Sequence, residues 1–227
     1  MGSIAKYMKH KLGLLTVAVM SAMYVPSPIA WAGVAATELP DLKEIKHGDI
    51  SISAPFDKDG TRQMNIGLSG KQGIINWNTF NIGSKAGVNF TGNVDKWMIL
   101  NRVVGNNASE IYGSITSSPG GEIFLVNPHG ITFHEHASVD VGSLVASTRQ
   151  ISDDDFINNR FDFYTDKDTA GKNIDGKIYI KNGADVKAED GYVALLAQEI
   201  HNSGTITAPD VALATGQKIN LKYDNKI

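Results

Sequence analysis

Two neighbouring segments near the C-terminus repeat after 18 to 20 residues, and this short repeat restricts the possible folds more than any other feature of the chain. Residues 184–188 and 192–197 are echoed by residues 205–208 and 210–214, so that Val186 corresponds to Ile206 and Val193 to Val211. A unit of about 20 residues cannot bury its own apolar face and becomes stable only by stacking on its neighbours. Residues 139–146 resemble an earlier unit. The repeat therefore predicts a solenoid.

Short runs of β-forming residues predict that the solenoid is built from strands. Such runs occupy residues 50–52, 63–66, 123–126 and 177–180, and glycine or Asn/Asp clusters separate them. Beyond the N-terminal segment, no stretch keeps apolar residues at helical spacing over three turns. We therefore predict an all-β chain that folds as a single-stranded parallel β-helix. An antiparallel sandwich is the alternative, although two-residue hairpin signals such as Asp59-Gly60, Asp175-Gly176 and Asp190-Gly191 are few.

Residues 1–32 have the organisation of a secretory signal peptide. Lys6, Lys9 and Lys11 precede an apolar core at residues 12–25, and Ala30-Trp31-Ala32 forms a small-x-small cleavage site. Cleavage between Ala32 and Gly33 is predicted. A transmembrane helix is the competing interpretation, but such a helix needs about 20 apolar residues. We therefore expect a mature chain, residues 33–227, that is exported and does not span a membrane.

Charge and cysteine content narrow the class of protein further. The formal net charge is −3 and 20% of the residues are charged, so the chain lacks the basic surface that nucleic-acid binding requires. We expect no nucleic-acid partner. The chain contains no cysteine, so its stability must come from packing and backbone hydrogen bonds. We expect it to be a monomer.

A tightly specified turn joins two apolar strands in the middle of the chain. Asn127 can cap a type I turn from its first position, Pro128 presets the backbone at the second, and Gly130 suits the fourth. His129 occupies the third position, which tolerates most residues, and Ile131 opens the next strand. This turn is the first candidate functional motif.

Four spaced blocks, in this order with the turn, resemble one known family. A second candidate motif lies in the first block, residues 74–83, and the other blocks are residues 100–105, 111–115 and 139–148. The second motif consists of Asn76, Trp77, Asn78, Phe80 and Asn81. Together with the turn, these blocks resemble the secretion domain of two-partner-secretion (TPS) exoproteins, also called the haemagglutination activity domain. Filamentous-haemagglutinin-like and HMW-like adhesins and contact-dependent inhibition exoproteins carry it.

The resemblance covers about residues 45–221 and departs from the family at one motif position. The family motif usually reads Asn-Pro-Asn-Gly, whereas His129 occupies the third place here. A second family motif, Asn-Pro-Asn-Leu, is not found in the sequence, which indicates the HMW-like and inhibition-exoprotein branch. For the fold, the resemblance implies a right-handed β-helix with an N-terminal cap, residues 33–64, and hairpins outside the helix. The polar stretch 153–177 is expected to lie outside the coils.

The resemblance also implies a function and a partner. Family members cross the periplasm, are recognised by POTRA domains of an Omp85-type outer-membrane transporter, and fold as a β-helix at the cell surface or in the medium. Adhesion or haemagglutination, through binding to host cells or glycans, is the alternative. A polysaccharide-cleaving enzyme is the third possibility, because many parallel β-helices cleave polysaccharides.

The sequence offers few candidates for catalysis or for a cofactor. His134 and His136, if on one strand, would share a face and could join His129 at a metal, but catalytic zinc usually takes three protein ligands. Asp153, Asp154 and Asp155 are adjacent, so a strand would separate them. We therefore predict no catalytic residue, no metal site and no cofactor. Arg102, between apolar residues, is expected to pair with backbone carbonyls or a carboxylate, and the aromatic rings are expected to be buried.

Overall fold

The computed structural model describes residues 33–222. The predicted signal peptide, including Ala32, lies outside the described residues, whereas Gly33 is the first residue within them and is exposed. No helix within residues 33–222 has the length and apolar composition needed to cross a membrane.

Nearly all secondary-structure elements of the described chain are strands. The N-terminal half contains β1 (Asp41–Ile52), β2 (Phe56–Lys58), β3 (Thr61–Thr79), β4 (Ala86–Gly92), β5 (Trp97–Val103), β6 (Ser109–Ile111), β7 (Ser114–Ser117), β8 (Gly121–Val126) and β9 (Ile131–Phe133). The C-terminal half contains β10 (Ser138–Asp140), β11 (Ser143–Ser147), α1 (Asp153–Ile157), β12 (Asp162–Tyr164), β13 (Lys177–Ile180), β14 (Asp185–Lys187), β15 (Tyr192–Ala197), β16 (Glu199–Asn202), β17 (Thr205–Thr207), β18 (Asp210–Thr215) and β19 (Lys218–Asn220).

Parallel pairing stacks these strands into a β-solenoid of six rungs, and the predicted parallel β-helix is confirmed. One face runs in the order β3-β5-β8-β11-β15-β18 and a second in the order β3-β4-β7-β10-β14-β17. A shorter third face contains β6, β9, β13 and β16. The repeat seen in the sequence corresponds to the register of parallel strand pairing, because Val186 pairs with Ile206 and Val193 with Val211. This parallel stacking excludes the antiparallel sandwich.

The interior of the solenoid is a continuous apolar core. Residues in equivalent positions of successive rungs stack along it; Ile99 pairs with Ile123, Ile123 with Leu144 and Leu144 with Val193. All four are at most 1% exposed. Stacking therefore supplies the burial that a single unit of about 20 residues lacks.

The N-terminal end of the solenoid is covered by antiparallel strands. β1 pairs with β3 over most of its length, and β2 pairs with the beginning of β3. The first parallel pair of the solenoid joins Arg62 to Ala86. Strands β1 and β2 therefore provide an antiparallel cover. The boundary at residue 64 stays a prediction.

An excursion between β11 and β13 lies against the outer side of the longest face, and we call residues 150–176 the flap. Sequence analysis characterised part of this stretch as polar, yet Phe156, Phe161 and Phe163 are at most 7% exposed. They pack in a second apolar cluster with Phe124 and Leu100, which point out of the solenoid. Strand β8 is consequently buried on both sides, which explains why its sequence is almost continuously apolar.

The flap also contains α1, a helix that the sequence analysis did not anticipate. Ser152 caps it, because the Ser152 hydroxyl accepts a hydrogen bond from the Asp155 N–H at 3.0 Å. Acidic residues fill the first turn, where they interact favourably with the helix dipole. With five residues, α1 is too short to produce a detectable helical period.

Candidate functional site

The turn between β8 and β9 has the geometry that its sequence predicts. The Gly130 N–H donates to the Asn127 carbonyl at 3.1 Å, which closes a four-residue turn. The Asn127 side chain caps it, because its Oδ1 accepts from the His129 N–H at 3.0 Å. Gly130 has a φ of 125°, a conformation that other residues rarely adopt.

Asn127 also ties the turn to the coil before it and the coil after it. Its Nδ2 donates to the Asn107 carbonyl and to the Ser109 hydroxyl, both at 3.0 Å. Its N–H donates to the Ser147 carbonyl at 2.9 Å. The residue is fully buried. Every one of these contacts is internal, so Asn127 acts within the folded domain as a structural bracket between rungs.

Gly176, at the end of the flap, lies directly against this turn. Its N–H donates to the Pro128 carbonyl at 3.0 Å. A Cβ at position 176 would lie 2.3 Å from the Pro128 carbonyl oxygen and 2.6 Å from the Gly130 nitrogen. The close approach of two backbones therefore requires glycine here.

We expect Gly176→Ala to destabilise the domain by about 1 to 3 kcal/mol, because the added methyl group meets backbone atoms that cannot rotate away. Urea unfolding of the purified chain measures the change. Lys172→Ala, four residues earlier and exposed, is the control and should leave the midpoint unchanged. Equal stability of the Gly176→Ala variant and the wild-type chain would contradict the close packing of flap and turn.

In the second motif, the aromatic residues belong to the interior. Trp77 and Phe80 are at most 1% exposed, and their rings meet edge to face with centroids 5.5 Å apart. The Trp77 Nε1–H donates to Asn101 Oδ1 at 3.1 Å, and Asn101 Nδ2 donates to the Phe124 carbonyl at 3.2 Å. The sequence analysis did not single out Asn101. Its position beside Arg102, in the block of residues 100–105 that carries the family resemblance, was the available signal.

The asparagines of the second motif fasten the first rung to the N-terminal cover and to the segment that precedes β1. Their amide Nδ2 groups each donate to a carboxylate from residues 38–44, at 2.8 to 2.9 Å: Asn76 to Glu44, Asn78 to Asp41 and Asn81 to Glu38. Asn81 Oδ1 also accepts from the Glu110 N–H at 3.0 Å. The motif therefore joins the cover, the first rung and the next rung.

We expect Asn81→Ala to loosen residues 35–38 selectively. The substitution removes the hydrogen bonds to Glu38 and Glu110, and the loss of about 1.4 kcal/mol corresponds to tenfold faster local opening. Hydrogen exchange of the Glu38 amide, which donates to the Ala35 carbonyl, measures it. Asn106→Ala, at an exposed position, should have no effect on that amide. Unchanged exchange in the Asn81→Ala variant would rule out the fastening role.

The three clustered histidines have separate environments. His129 follows Asn127 in the turn, and its Nδ1 is buried without a hydrogen-bond partner among the described residues. His134 pairs with Glu110 at 2.5 Å and stacks on Tyr112, with ring centroids 3.8 Å apart. His136 lies in a turn with a φ of 69° and a largely exposed side chain. The expectation that His134 and His136 could share one face of a strand is therefore wrong. Strand β9 ends at Phe133, and the chain turns between the two histidines.

The acidic residues at the start of the flap form ion pairs. Arg102 donates to the Asp153 carboxylate at 2.5 Å and to the Ile151 carbonyl at 2.7 Å, which confirms its predicted pairing. Asp154 and Asp155 both pair with Arg160. Hydrogen bonds from Ser152 and Arg160 lower the pKa of the Asp155 carboxyl. Asp153 therefore ties the flap to β5 of the solenoid, and Asp154 and Asp155 tie α1 to the residue that follows it closely, Arg160.

Arg149 is a fully buried arginine that the sequence analysis did not identify. Its Nε donates to the Gly216 carbonyl at 2.7 Å and its Nη2 to Gln198 Oε1 at 2.8 Å. Its Nη1 lies 3.5 Å from an Asp175 oxygen. Burial lowers the pKa of the guanidinium, and Asp175 opposes that shift. Since residues 149, 198 and 216 follow β11, β15 and β18, this side chain links three successive rungs.

Comparison with known proteins relates this architecture to one family. The family model described as the TPS secretion domain matches residues 56–226. The crystal structure of the HMW1 secretion domain from Haemophilus influenzae is similar, with a TM-score of 0.70 and 28% sequence identity. The similarity covers 80% of this chain and 46% of that one.

Curated relatives are much longer than this chain. A heme/hemopexin-binding protein of Haemophilus influenzae strain Rd is 30% identical over 176 residues, which is 76% of this chain and 18% of that protein. A second heme/hemopexin-binding protein of Haemophilus influenzae is 30% identical over 120 residues, or 53% of this chain and 13% of that protein. The chain therefore spans less than a fifth of the length of these relatives.

Proposed function

Because the chain belongs to the family of TPS secretion domains, we propose that it directs a two-partner-secretion exoprotein across the outer membrane. POTRA domains of an Omp85-type transporter recognise the domain in the periplasm before it folds. The β-helix then forms at the cell surface or in the medium. The family is one of secretion domains and not of enzymes, and its exoproteins are secreted or displayed on the cell surface.

Burial of the turn motif is the observation that supports recognition before folding. Asn127 is fully buried, Pro128 and Gly130 are buried, and His129 is partly buried. In the folded domain the hydrogen-bonding groups of Asn127 are occupied by neighbouring coils. A transporter therefore has access to this sequence only while the chain is extended.

An extended β-forming chain has a physical means of binding POTRA domains. It can add as a strand to an exposed sheet edge, where main-chain hydrogen bonds supply affinity and alternate side chains supply specificity. Outside the cell, each rung then presents a template for the next. The apolar surface buried in this stacking opposes return of the chain through the transporter.

Export with and without the cognate transporter tests the proposal. The chain is expressed in a bacterium with its signal peptide, and protein in the medium and on the cell surface is measured. We expect export only when the transporter is present. Accumulation in the periplasm in both strains would contradict the proposal, and equal export in both would exclude dependence on the transporter.

Two destabilising substitutions separate recognition of the motif from its role in folding. Asn127→Ala changes the motif, whereas Arg149→Met weakens the fold at a position 18 residues beyond the end of the motif and leaves the motif sequence intact. Loss of export for Asn127→Ala alone would indicate that the transporter reads the motif. Equal loss for both would indicate that the motif acts through folding. Undiminished export of Asn127→Ala and of Pro128→Ala would remove the motif from the mechanism.

The same material tests the adhesin alternative. Purified chain is incubated with host cells and with immobilised glycans. Transporter-dependent export without such binding is the result expected for a secretion domain. Saturable binding by the isolated chain would add an adhesive role.

A further inference from the structure

We propose that residues 216–221 act as a latch that closes the flap over the outer face of the solenoid, and that this closure is a separate step from stacking of the rungs. The flap, residues 150–176, precedes the latch by some 40 residues in the sequence. The two meet only in the folded structure. The proposal concerns a conformational device within the domain and is independent of its export.

Backbone pairing joins residues 217–221 of the latch to residues 161–165 of the flap. Strand β19 pairs antiparallel with β12, so that Asp162 faces Asn220, Phe163 faces Ile219 and Tyr164 faces Lys218. The pairing is extended at both ends, since the Thr165 N–H donates to the Gln217 carbonyl at 2.9 Å and the Leu221 N–H donates to the Phe161 carbonyl at 3.0 Å. Together β12 and β19 form a two-stranded sheet separate from the three faces of the solenoid.

The flap covers an apolar column that would otherwise face water. Ile74, Leu100, Phe124 and Val145 occupy equivalent outward positions on successive rungs. The flap supplies the aromatic cover, since the Phe124 ring lies 5.2 Å from the Phe156 ring and 5.4 Å from the Phe161 ring. Opening of the flap would expose this column, which is costly because apolar surface returns to water.

The latch contributes the remaining apolar contacts and a link to Arg149. Ile219 and Leu221 are partly buried and pack against the same cluster as Phe124. Gly216, which begins the latch, accepts the hydrogen bond from Arg149 Nε. The latch thus adds side chains from the C-terminal end of the described chain to the apolar cluster beneath the flap.

The position of the latch after β18, the last strand of the longest face, makes closure of the flap a late event. The hydrogen bonds of the latch span 52 residues from Thr165 to Gln217 and 67 residues from Arg149 to Gly216. Most rungs, in contrast, pair strands 18 to 27 residues apart, which loop entropy favours. The three pairs on either side of the flap span 47 to 49 residues. In a chain whose rungs stack from the N-terminal end, the outer column stays uncovered until the latch has followed β18.

Hydrogen exchange of the purified chain tests the latch. The double variant Ile219→Ala/Leu221→Ala removes its apolar contacts. The matched control Val211→Ala/Leu213→Ala trims the same kind of side chains on neighbouring β18, where they are 48% and 55% exposed. In the latch variant we expect at least tenfold faster exchange at the Thr165 amide, which donates to the Gln217 carbonyl of the latch. Tenfold is the factor that about 1.4 kcal/mol produces.

The amides of strand β8 distinguish a latch from general destabilisation. Their exchange should remain unchanged in the latch variant, and the control should alter neither set. Equal acceleration in the flap and in β8 would overturn the proposal, because flap and rungs would then open as one cooperative unit. Unchanged exchange in the flap would overturn it as well. If the double variant does not fold, Asn220→Ala, which removes only the Asn220–Asp162 hydrogen bond, provides the same comparison.

Discussion

Replacing Asn127 by alanine is expected to lower the free energy of unfolding by about 3 kcal/mol, because three side-chain hydrogen bonds are lost and each contributes about 1 kcal/mol. The partners of these bonds are the Asn107 carbonyl, the Ser109 hydroxyl and the His129 N–H. Alanine also leaves a void in a fully buried position. Urea denaturation of the purified chain, followed by circular dichroism, measures the effect.

An aspartate at the same position identifies which hydrogen bonds matter. Asn127→Asp keeps the acceptor for the His129 N–H but loses the amide donor and brings a carboxylate close to the Asn107 carbonyl. We expect it to be at least as destabilising as alanine at pH 7. Asn106→Ala, next to Asn107 in the loop between β5 and β6 but exposed, should leave the midpoint unchanged. A stable Asn127→Asp variant would show that the turn cap, and not the bracket between rungs, carries the stabilisation.

Arg149→Met should be the most destabilising single change, lowering the free energy of unfolding by about 3 to 5 kcal/mol. Hydrogen bonds to a charged group contribute about 1.5 to 3 kcal/mol each, and two short ones are lost here. Their partners, the Gly216 carbonyl and the Gln198 amide oxygen, belong to the two following coils. Methionine fills part of the volume, so the measured loss reflects the missing donors more than a cavity.

Lysine at position 149 and a second arginine serve as controls for charge. Arg149→Lys keeps the cation, but an ammonium cannot reproduce the planar fork that reaches Gly216 and Gln198 together, so we expect it to recover less than half of the loss. Arg160→Met removes an exposed arginine that pairs with Asp154 and Asp155. Exposed ion pairs contribute little, so its midpoint should change little. A drop for Arg160→Met equal to that for Arg149→Met would contradict the importance of burial.

Local sequence patterns were sufficient to predict the coils and the turn. The spacing of Val186 to Ile206 and of Val193 to Val211 reappears as parallel strand pairing. The order Asn127-Pro128-His129-Gly130 reappears as a capped turn. Both features depend on residues that are close in sequence or on a repeat with a fixed period, and such features can be detected in one chain.

The flap shows where local patterns were not sufficient. Its polar composition predicted only an excursion outside the coils, and most of its aspartates and lysines are exposed. Phe156, Phe161 and Phe163, however, point inward and are buried. The burial of these rings depends on the outward column at Leu100 and Phe124, which is distant in sequence. Composition averages over the two sides of such a segment and therefore conceals its apolar side.

The sequence by itself determined the fold class, the period of the coils and the conformation of the turn at Asn127, because backbone propensity and repeat spacing are local properties. Only the tertiary structure decided the burial of Arg149, the hydrogen bond from Asn81 to Glu38, and the pairing of β12 with β19. Each of these joins groups 43 to 67 residues apart. Which carbonyl meets which donor over such distances depends on how the rungs stack and on which face the flap covers.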